Sequence, residues 1–240
     1  MSTRIQLEKE LKKQGNKRQA LAYLRFFKTG RGEYGEGDKF LGLKVPKQKV
    51  LAKKYQTLSL PEIEKLLQSK IHEHRLTALF ILRHQFEKAA KEKNEIVQKK
   101  IIAIYLKHAA QWVNNWDLVD SSAHYLLGAY LWNKPRKILY TLAKSKNLWE
   151  RRIAIMSTFC FIKKDDFVDA LGIAEILLKD QHDLIQKAVG WMLREVGKCD
   201  HQKEVVFLKK YYLTMPRTML RYAVEKFSKS EKSLYLLGKN

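Results

Sequence analysis

The sequence contains few of the residues that interrupt or cross-link a chain. Its 240 residues include only four prolines, eleven glycines and two cysteines. Two cysteines are too few for a disulfide framework, and neither Cys160 nor Cys199 has a C-x-x-C partner, so we expect two buried, unreactive thiols. With 45% hydrophobic and 11% aromatic residues, the composition provides a packed core and excludes a disordered or collagen-like protein.

Long apolar segments are also missing. The longest apolar run is the eight residues Tyr125 to Trp132, against the ~18 needed to cross a bilayer, so no membrane span is expected. The N-terminal residues MSTRIQLEKELKK carry charge throughout and contain no apolar signal-peptide segment. The expected location is therefore the cytoplasm.

Patterns typical of β-strands are absent, and helical patterns dominate. No sustained apolar–polar alternation rich in Val, Ile and Thr occurs, whereas apolar residues recur at helical spacing, as in Phe167, Leu171 and Ala174. Proline suits the first turn of a helix and breaks any helix before it. Three prolines therefore mark expected helix starts: Pro61, Pro135 and Pro216. The sequence predicts an all-α chain.

Similar helical units recur along the chain. A basic residue followed by small and apolar residues is found at Arg75, Arg152 and Lys187, which lie 77 and 35 residues apart. The longer interval leaves room for one more unit, around residues 114–120. A helix-pair period near ~40 residues predicts a single HEAT-like repeat domain over residues 1–240, an α-α superhelix with a concave basic groove. The alternative is a helical bundle whose internal similarities are accidental.

A glycine-rich segment at residues 29–38 interrupts the helical pattern. A formal match to the dinucleotide motif G-x-G-x-x-G is formed by Gly30, Gly32 and Gly35. That motif requires a strand before it and a helix directly after it, whereas here a helix precedes it and two acids, Glu33 and Glu36, would face the phosphates. We therefore reject nucleotide binding and expect a surface loop that packs Tyr34 and Phe40 onto its neighbours.

Positive charge is in large excess. The 47 Lys and Arg against 25 Asp and Glu give a net charge of +22, and the sequence pI is near 9.9. Solubility needs a net charge of only ~2–8, and a larger excess adds self-repulsion. The excess therefore indicates a polyanionic partner, with nucleic acid the leading candidate. The positive residues come as singles and pairs, which is typical of folded helix faces.

Motifs for metal-dependent or serine-dependent hydrolysis are missing. His72 and His74 lie two residues apart, on different faces of a helix, and neither H-E-x-x-H nor paired C-x-x-C occurs. No G-x-S-x-G elbow is found either. We expect neither a metal nor another cofactor.

An aromatic residue and a carboxylate come together after Asn114 and Asn115. Either asparagine can cap a helix on which Trp116 and Asp120 stand at i and i+4, on one face. Asp117 falls on a different face in the first turn, where negative charge stabilises a helix, so we interpret it as structural. Asp120 is the candidate catalytic carboxylate. The alternative for Trp116 is a core aromatic residue.

A second combination places Trp191 three residues before Arg194, and Arg152 adds another guanidinium that can hold a phosphate. With these residues and the Trp116–Asp120 pair, the sequence resembles a known family. This family is the bacterial DNA alkylation repair enzymes of HEAT-like repeat fold, the alkylpurine DNA glycosylases of the AlkD type. The resemblance covers most of the chain. It rests on residues 40–46 (FLGLKVP), 115–120 (NWDLVD), 147–152 (NLWERR) and 185–195 (IQKAVGWMLRE).

The resemblance implies a set of site residues. The active-site cleft would contain Trp116, Asp120 and Trp191. The DNA backbone would be held by Arg152 and Arg194. Lys187, which occupies the same place in the repeat as Arg152, is a further candidate for this contact. Tyr23 is another, on a looser match to a tyrosine of an N-terminal helix. The partner would be double-stranded DNA with alkylated bases, bound by a monomer.

The chemistry that the resemblance implies suits these residue types. A purine alkylated at N3 or N7 is cationic and leaves as a neutral base, so the developing oxocarbenium ion is what needs stabilisation. A nearby carboxylate can supply it and orient the attacking water, the role expected of Asp120. The faces of Trp116 and Trp191 would attract the cation by ~0.5–2 kcal/mol each. The expected activity is a metal-independent DNA glycosylase that leaves an abasic site.

Two alternatives come from other functional classes. One is a non-catalytic HEAT-like module that binds DNA or RNA through charge, and the other is a scaffold whose concave face grips an acidic protein. The enzyme and the nucleic-acid-binding module both predict salt-sensitive DNA binding. Only the enzyme predicts that Asp120→Asn abolishes activity while binding is retained.

Overall fold

The computed structural model describes residues 3–237. Over that range the regular structure is helical, and the only strand-like pairing is an isolated bridge between Lys39 and Ile71. The prediction of an all-α fold is confirmed. No helix in the described range is both long and apolar enough to cross a membrane.

The chain divides into two compact units, of which the first ends at Ser122 and the second begins at Ala123. The helices of the first unit are α1 (Arg4–Lys13), α2 (Lys17–Phe26), α3 (Val45–Lys54), α4 (Leu60–Leu67), α5 (His72–Lys91), α6 (Glu95–His108) and α7 (Trp116–Asp120). Helix α5 is central, since it packs against α3, α4, α6 and α7. Its apolar side chains, such as Leu76, Leu79 and Ile81, are buried.

The second unit opens with a π-helical turn, His124–Gly128. Its α-helices are α8 (Ala129–Leu131), α9 (Lys137–Ala143), α10 (Leu148–Ser157), α11 (Phe159–Ile162), α12 (Val168–Ile176), α13 (Asp183–Cys199), α14 (His201–Tyr211), α15 (Arg217–Ala223) and α16 (Lys229–Leu237), with a 3-10 turn at Val224–Lys226. Helix α13 packs against α10, α14 and α15. The expectation of one repeat domain over residues 1–240 stays a prediction.

Helix starts follow the sequence signals. Helix α4 has Pro61 in its first turn, α15 begins directly after Pro216, and α9 begins two residues after Pro135. These starts confirm the interpretation of the three prolines.

Three helices, α5, α10 and α13, begin with the same hydrogen-bond pattern. Three residues before each helix, a side-chain oxygen accepts from the backbone amide two residues further on. The donor–acceptor distances are 3.1 Å for Ile71 to Ser69 Oγ, 3.0 Å for Asn147 to Ser145 Oγ and 2.9 Å for His182 to Asp180 Oδ1. Since such caps satisfy amides at a helix start, the recurrence marks equivalent points of a structural repeat.

A second bond fixes the register of this repeat. Six residues after each capping residue, a side chain in the first turn donates back to the carbonyl of that residue. The pairs are Arg75 with Ser69 at 3.0 Å, Arg151 with Ser145 at 3.0 Å, and Gln186 with Asp180 at 2.9 Å. Arg75 therefore corresponds to Arg151, and its sequence alignment with Arg152 is wrong by one residue. Arg152 and Lys187 keep equivalent positions.

The glycine-rich segment forms a loop whose amides are satisfied from within. Glu33 Oε2 accepts from the Gly30 amide at 2.7 Å, and Glu36 Oε2 accepts from the Gly32 amide at 2.8 Å. Two of the groups that a phosphate would need are thus already occupied, in agreement with the rejection of a nucleotide site. At the end of the loop, the Phe40 ring packs on its neighbours as expected.

The two thiols differ in exposure. Cys160 is half-buried, and Cys199, the last residue of α13, is exposed. The expectation of two buried thiols is therefore wrong for Cys199. The helical spacing does not reveal this, because the terminal residue of a helix is covered only if a following segment folds over it.

Candidate active site

The short helix α7 carries the first pair of candidate residues. Its N-cap is Asn115, which is fully buried and accepts from the Trp116 amide at 2.8 Å through Oδ1. Of the two asparagines named as candidate caps, the second one takes this role. The cap fixes where the helix begins and therefore which residues share a face.

A cavity of about 310 Å³ lies beside α7 within the first unit. Its apolar wall contains Tyr23, Phe26, Phe27, Val45, Leu76 and Trp116. Its polar wall contains Gln48, His72, Glu73, Asp117, Asp120 and Ser121. The structure thus brings three candidate residues, Tyr23, Trp116 and Asp120, to one cavity, and three carboxylate residues line it.

The Trp116 ring packs against a cluster of aromatic rings. Its ring stacks on Phe27 with centroids 5.6 Å apart and meets Phe26 edge-on at 5.8 Å. Phe27 in turn stacks on Phe40 at 5.2 Å, and Tyr23 meets both of these rings edge-on. Such offset and edge-to-face pairs are the favoured aromatic geometries, so the cluster holds the indole in a defined orientation.

A buried ionic network reaches the first turn of α7. His72, which is 2% exposed, has Nε2 2.8 Å from Asp117 Oδ2 and Nδ1 3.1 Å from Asp38 Oδ2. The other oxygen of Asp38 accepts from Arg75 Nη2 at 2.7 Å. The two aspartates and Arg75 are thus joined through one imidazole.

The protonation of this network follows from its contacts. Burial by itself lowers the pKa of His72, but Asp117 and Asp38 outweigh it and raise the pKa to about 9. Burial raises the pKa of Asp38, whereas His72 and Arg75 together bring it below its ordinary value. At neutral pH the network consists of an imidazolium and a guanidinium with two carboxylates.

The C-terminal end of α7 is anchored by hydroxyl groups. Ser122 Oγ donates to the Leu118 carbonyl at 2.6 Å and lies 3.0 Å from the hydroxyl of the fully buried Tyr105. Burial raises the pKa of Tyr105, and the charge of the Asp120 carboxylate raises it further. The Asp120 carboxylate is thus close to a permanently neutral phenol.

Tyr23 also stays neutral over the physiological range. Its ring is half-buried, and burial raises the pKa of its hydroxyl, with further contributions from Glu73 and Asp117. On the cavity wall this hydroxyl is available as a hydrogen-bond donor or acceptor.

The remaining candidates belong to the second unit. The half-buried Trp191 donates from Nε1 to Glu195 Oε1 at 3.0 Å, and its ring centroid lies 6.2 Å from that of Phe159. Arg194 donates to Glu225 and lies 3.5 Å from Glu195. Both residues stand on α13 next to acidic partners.

Arg152 and Lys187 have different surroundings. Arg152 is 4% exposed, and its Nη1 donates to the Leu184 carbonyl in the first turn of α13. Lys187 Nζ pairs with Asp183 Oδ2 at 2.6 Å, and its side chain is 39% exposed. Arg152 therefore joins α10 to α13, whereas Lys187 is accessible from solvent. Their expected contacts with DNA stay predictions.

Sequence reasoning missed several residues of the cavity. The sequence indicates a helix-dipole role for Asp117 and no role for His72 beyond a rejected metal site, because the contact between the two joins residues 45 positions apart. Phe26 and Phe27 follow Tyr23 at i+3 and i+4, a helical spacing that could have predicted them. Within residues 3–237, no three His, Cys, Asp or Glu side chains converge as a metal set.

A family model described as DNA alkylation repair enzyme matches residues 7–227. No curated protein matches the chain in sequence.

Solved structures share the fold. A protein of Enterococcus faecalis, described as a predicted DNA alkylation repair enzyme, is 20% identical with a TM-score of 0.68 over 90% of this chain and 98% of that chain. AlkD2 from Streptococcus mutans is 18% identical with a TM-score of 0.54 over 88% and 99%. The smu.31 protein from Streptococcus mutans UA159 is 20% identical with a TM-score of 0.53 over 76% and 92%. At such identities the likeness concerns the fold, and it confirms the helical-repeat class.

Proposed function

Because the chain belongs to the DNA alkylation repair enzyme family, we propose that it is a DNA glycosylase for purines made cationic by alkylation at N3 or N7. It acts on duplex DNA and leaves an abasic site. The observation that carries this proposal is the placement of Asp120 and Trp116 on the wall of one cavity, one helical turn apart. A carboxylate beside an aromatic face suits a transition state that carries positive charge on a sugar.

In the proposed reaction, the bond between C1′ of the deoxyribose and the purine nitrogen breaks, and its electron pair stays with the departing base. The alkylated purine, cationic at the start, leaves neutral. A water oxygen forms the new bond to C1′, and Asp120 orients this water and accepts its proton. The negative charge of Asp120 also stabilises the oxocarbenium character that develops before the water has fully bonded.

The aromatic residues bind the cationic centre in this proposal. Trp116 presents its face to the sugar, with Phe26 and Phe27 holding the indole in place. Trp191 of the second unit is proposed to supply a second face. An attraction of ~0.5–2 kcal/mol for each ring favours a charged lesion over a neutral one. The substrate class is therefore selected by charge.

We propose that DNA is bound by the positively charged surface of the protein. With a net charge of +22, the chain neutralises phosphates over an extended contact. Backbone contacts are proposed for Arg194, Lys187, Tyr23 and Arg152, the last of which also joins α10 to the start of α13. We propose that the enzyme works as a monomer and needs no metal.

The test is base release from a duplex that contains a single N7-methylguanine, with the wild-type protein in excess and EDTA present. The expected result is free N7-methylguanine and an equal amount of alkali-labile abasic sites. Duplexes with guanine or the neutral purine hypoxanthine at that position serve as controls and should release no base. Absence of release from the N7-methylguanine duplex would contradict the proposal, and salt-sensitive binding without release would identify a binding module instead.

A further inference from the structure

We propose that His72 is a positioning residue: as an imidazolium it clamps Asp117 to Asp38 and thereby fixes helix α7, which carries Trp116 and Asp120. The inference deepens the proposed function and rests on it for its kinetic readout. Its structural part is that the buried imidazole of His72 is protonated, and this protonation can be measured without substrate.

With both aspartates ionised, the geometry calls for two N–H groups on the ring. Nδ1 lies 3.1 Å from Asp38 Oδ2 and Nε2 lies 2.8 Å from Asp117 Oδ2. An ionised carboxylate only accepts hydrogen bonds, and a neutral imidazole has only one N–H. A neutral His72 would therefore turn a nitrogen lone pair towards one of the two carboxylates.

The two aspartates depend on His72 to different degrees. Asp38 also accepts from Arg75, so it keeps a cationic partner if His72 is neutral. Asp117 Oδ2 lies 2.8 Å from His72 Nε2, and among the described residues the buried Oδ1 of Asp117 has no hydrogen-bond partner. Loss of the charge on His72 would leave the Asp117 carboxylate, 13% exposed, with at most a neutral N–H donor in place of its cationic partner. A buried charge that loses its charged partner in this way is strongly destabilising.

Helix α5 does not benefit from a positive charge at this point. His72 is the first residue of α5, and a cation at a helix N-terminus opposes the helix dipole. The charge is stabilised by the carboxylates and by the rings of Phe27 and Phe40, whose centroids lie 4.7 and 4.9 Å from the imidazole. The position of the charge is explained by its partners outside α5.

Helix α7 needs this external support. It has five residues, too few for a helix to persist on local bonds alone. One end is held through Asp117 by His72, and the segment after the other end is held through Ser122 by Tyr105. Trp116 directly precedes the clamped residue, and Asp120 follows it three positions later. Without the clamp, α7 is free to shift, and a displacement of ~1 Å can reduce a rate on the order of 10²-fold.

The clamp makes the site sensitive to high pH. The charged or titratable groups facing His72 are Asp38 from the loop, Asp117 from α7 and Arg75 from its own helix, with Arg75 opposing the charge. His72 has a pKa of about 9 in the folded protein and 6.5 as its ordinary value. The stabilisation is therefore complete below about pH 6.5 and is lost as the pH rises through about 9.

His74 provides a matched control. It lies two residues further along α5, is buried as well, and has Nδ1 3.0 Å from Ser69 Oγ, while its Nε2 has no hydrogen-bond partner among residues 3–237. Burial lowers its pKa to about 4. His72→Gln and His74→Gln therefore replace two buried histidines of one helix, of which only the first carries the proposed charge.

The first readout is the imidazole nitrogen NMR titration of the wild-type protein between pH 5 and 10. The inference predicts that His72 is protonated on both nitrogens at pH 7 and titrates near 9, whereas His74 stays neutral. A midpoint for His72 at or below 6.5 would overturn the inference. This readout stands even if the wild type releases no base, so failure of the proposed function can be told apart from failure of the clamp.

The second readout is single-turnover base release, with duplex affinity measured on the same samples. His72→Gln is expected to slow release at least about 10-fold with affinity changed less than about 2-fold, while His74→Gln changes both less than about 2-fold. The double variant His72→Gln with Asp117→Asn, which removes both charges, should recover stability relative to His72→Gln alone. Unchanged release in a folded His72→Gln protein would overturn the positioning role.

Discussion

At the residue scale, Gly42 shows how a single backbone conformation supports the site. Its φ is +76°, and its amide donates to Glu73 Oε1 at 2.8 Å, so the loop before α3 is tied to the second residue of α5. A Cβ at this position would lie 2.1 Å from the Asn16 carbonyl oxygen. Both the conformation and the close approach require glycine.

We predict that Gly42→Ala lowers the free energy of unfolding by at least about 2 kcal/mol, since it adds a backbone clash to the conformational strain. Gly32→Ala is the matched control, because Gly32 has φ +77° and no atom within 4 Å of its Cβ position. It should cost only about 1 kcal/mol. Urea denaturation of both variants measures the difference, and equal losses would contradict this explanation.

The residues of the cavity also show what a sequence reveals at this scale. Trp116 and Asp120 are four residues apart, so helical spacing alone predicts that they share a face. The His72–Asp117 pair could not be predicted in this way, because it depends on how α5 packs against α7. Helical spacing places Asp117 on a different face of α7 from Trp116 and Asp120. Asp117 still lines the cavity, because more than one face of this five-residue helix borders it.

At the scale of elements, α7 depends on its cap. We predict that Asn115→Ala costs about 1 kcal/mol in stability and also slows base release, because α7 carries Trp116 and Asp120. Thr3→Ala is the control: Thr3 caps α1 by accepting from the Gln6 amide at 3.3 Å, and α1 carries neither a proposed site residue nor a residue that the structure places against α7. It should cost a similar stability and leave release unchanged. Thermal denaturation and single-turnover release distinguish the two, and equal effects on release would refute the special role of α7.

The helix boundaries could be predicted better than the repeat register. Proline and asparagine act locally, so Pro61, Pro216 and Asn115 mark helix starts in the structure as they do in the sequence. The repeat register is defined by two hydrogen bonds. In the first, a side-chain oxygen three residues before the helix accepts from a backbone amide. In the second, a side chain in the first turn of the helix donates to the backbone carbonyl of that same capping residue. Two adjacent arginines, Arg151 and Arg152, can both be aligned with Arg75 by composition, and only the hydrogen bonds decide between them.

At the scale of the whole molecule, the net charge of +22 predicts how binding responds to salt. If six to ten phosphates are contacted, duplex affinity falls on the order of 10³- to 10⁵-fold between 50 and 200 mM salt. Fluorescence anisotropy of a labelled duplex measures this slope. Binding that does not change with salt would contradict the proposed backbone grip.

The charge and the helical class follow from composition and periodicity, and both could be stated without a structure. The concave basic groove, which the repeat period also predicts, stays a prediction, because it depends on how helices stack over the whole chain. Trp191 and Arg194 stand on α13 of the second unit, whereas Asp120 stands on α7 of the first. Their common role in DNA repair stays a prediction.

In the proposed mechanism Asp120 stabilises the transition state and orients the water, so Asp120→Asn is the decisive variant. The substitution keeps the size of the side chain and removes its charge. We predict that single-turnover release of N7-methylguanine in EDTA falls at least about 10²-fold, with the stability of the protein and its affinity for the duplex retained. Release by Asp120→Asn at the wild-type rate would contradict the mechanism.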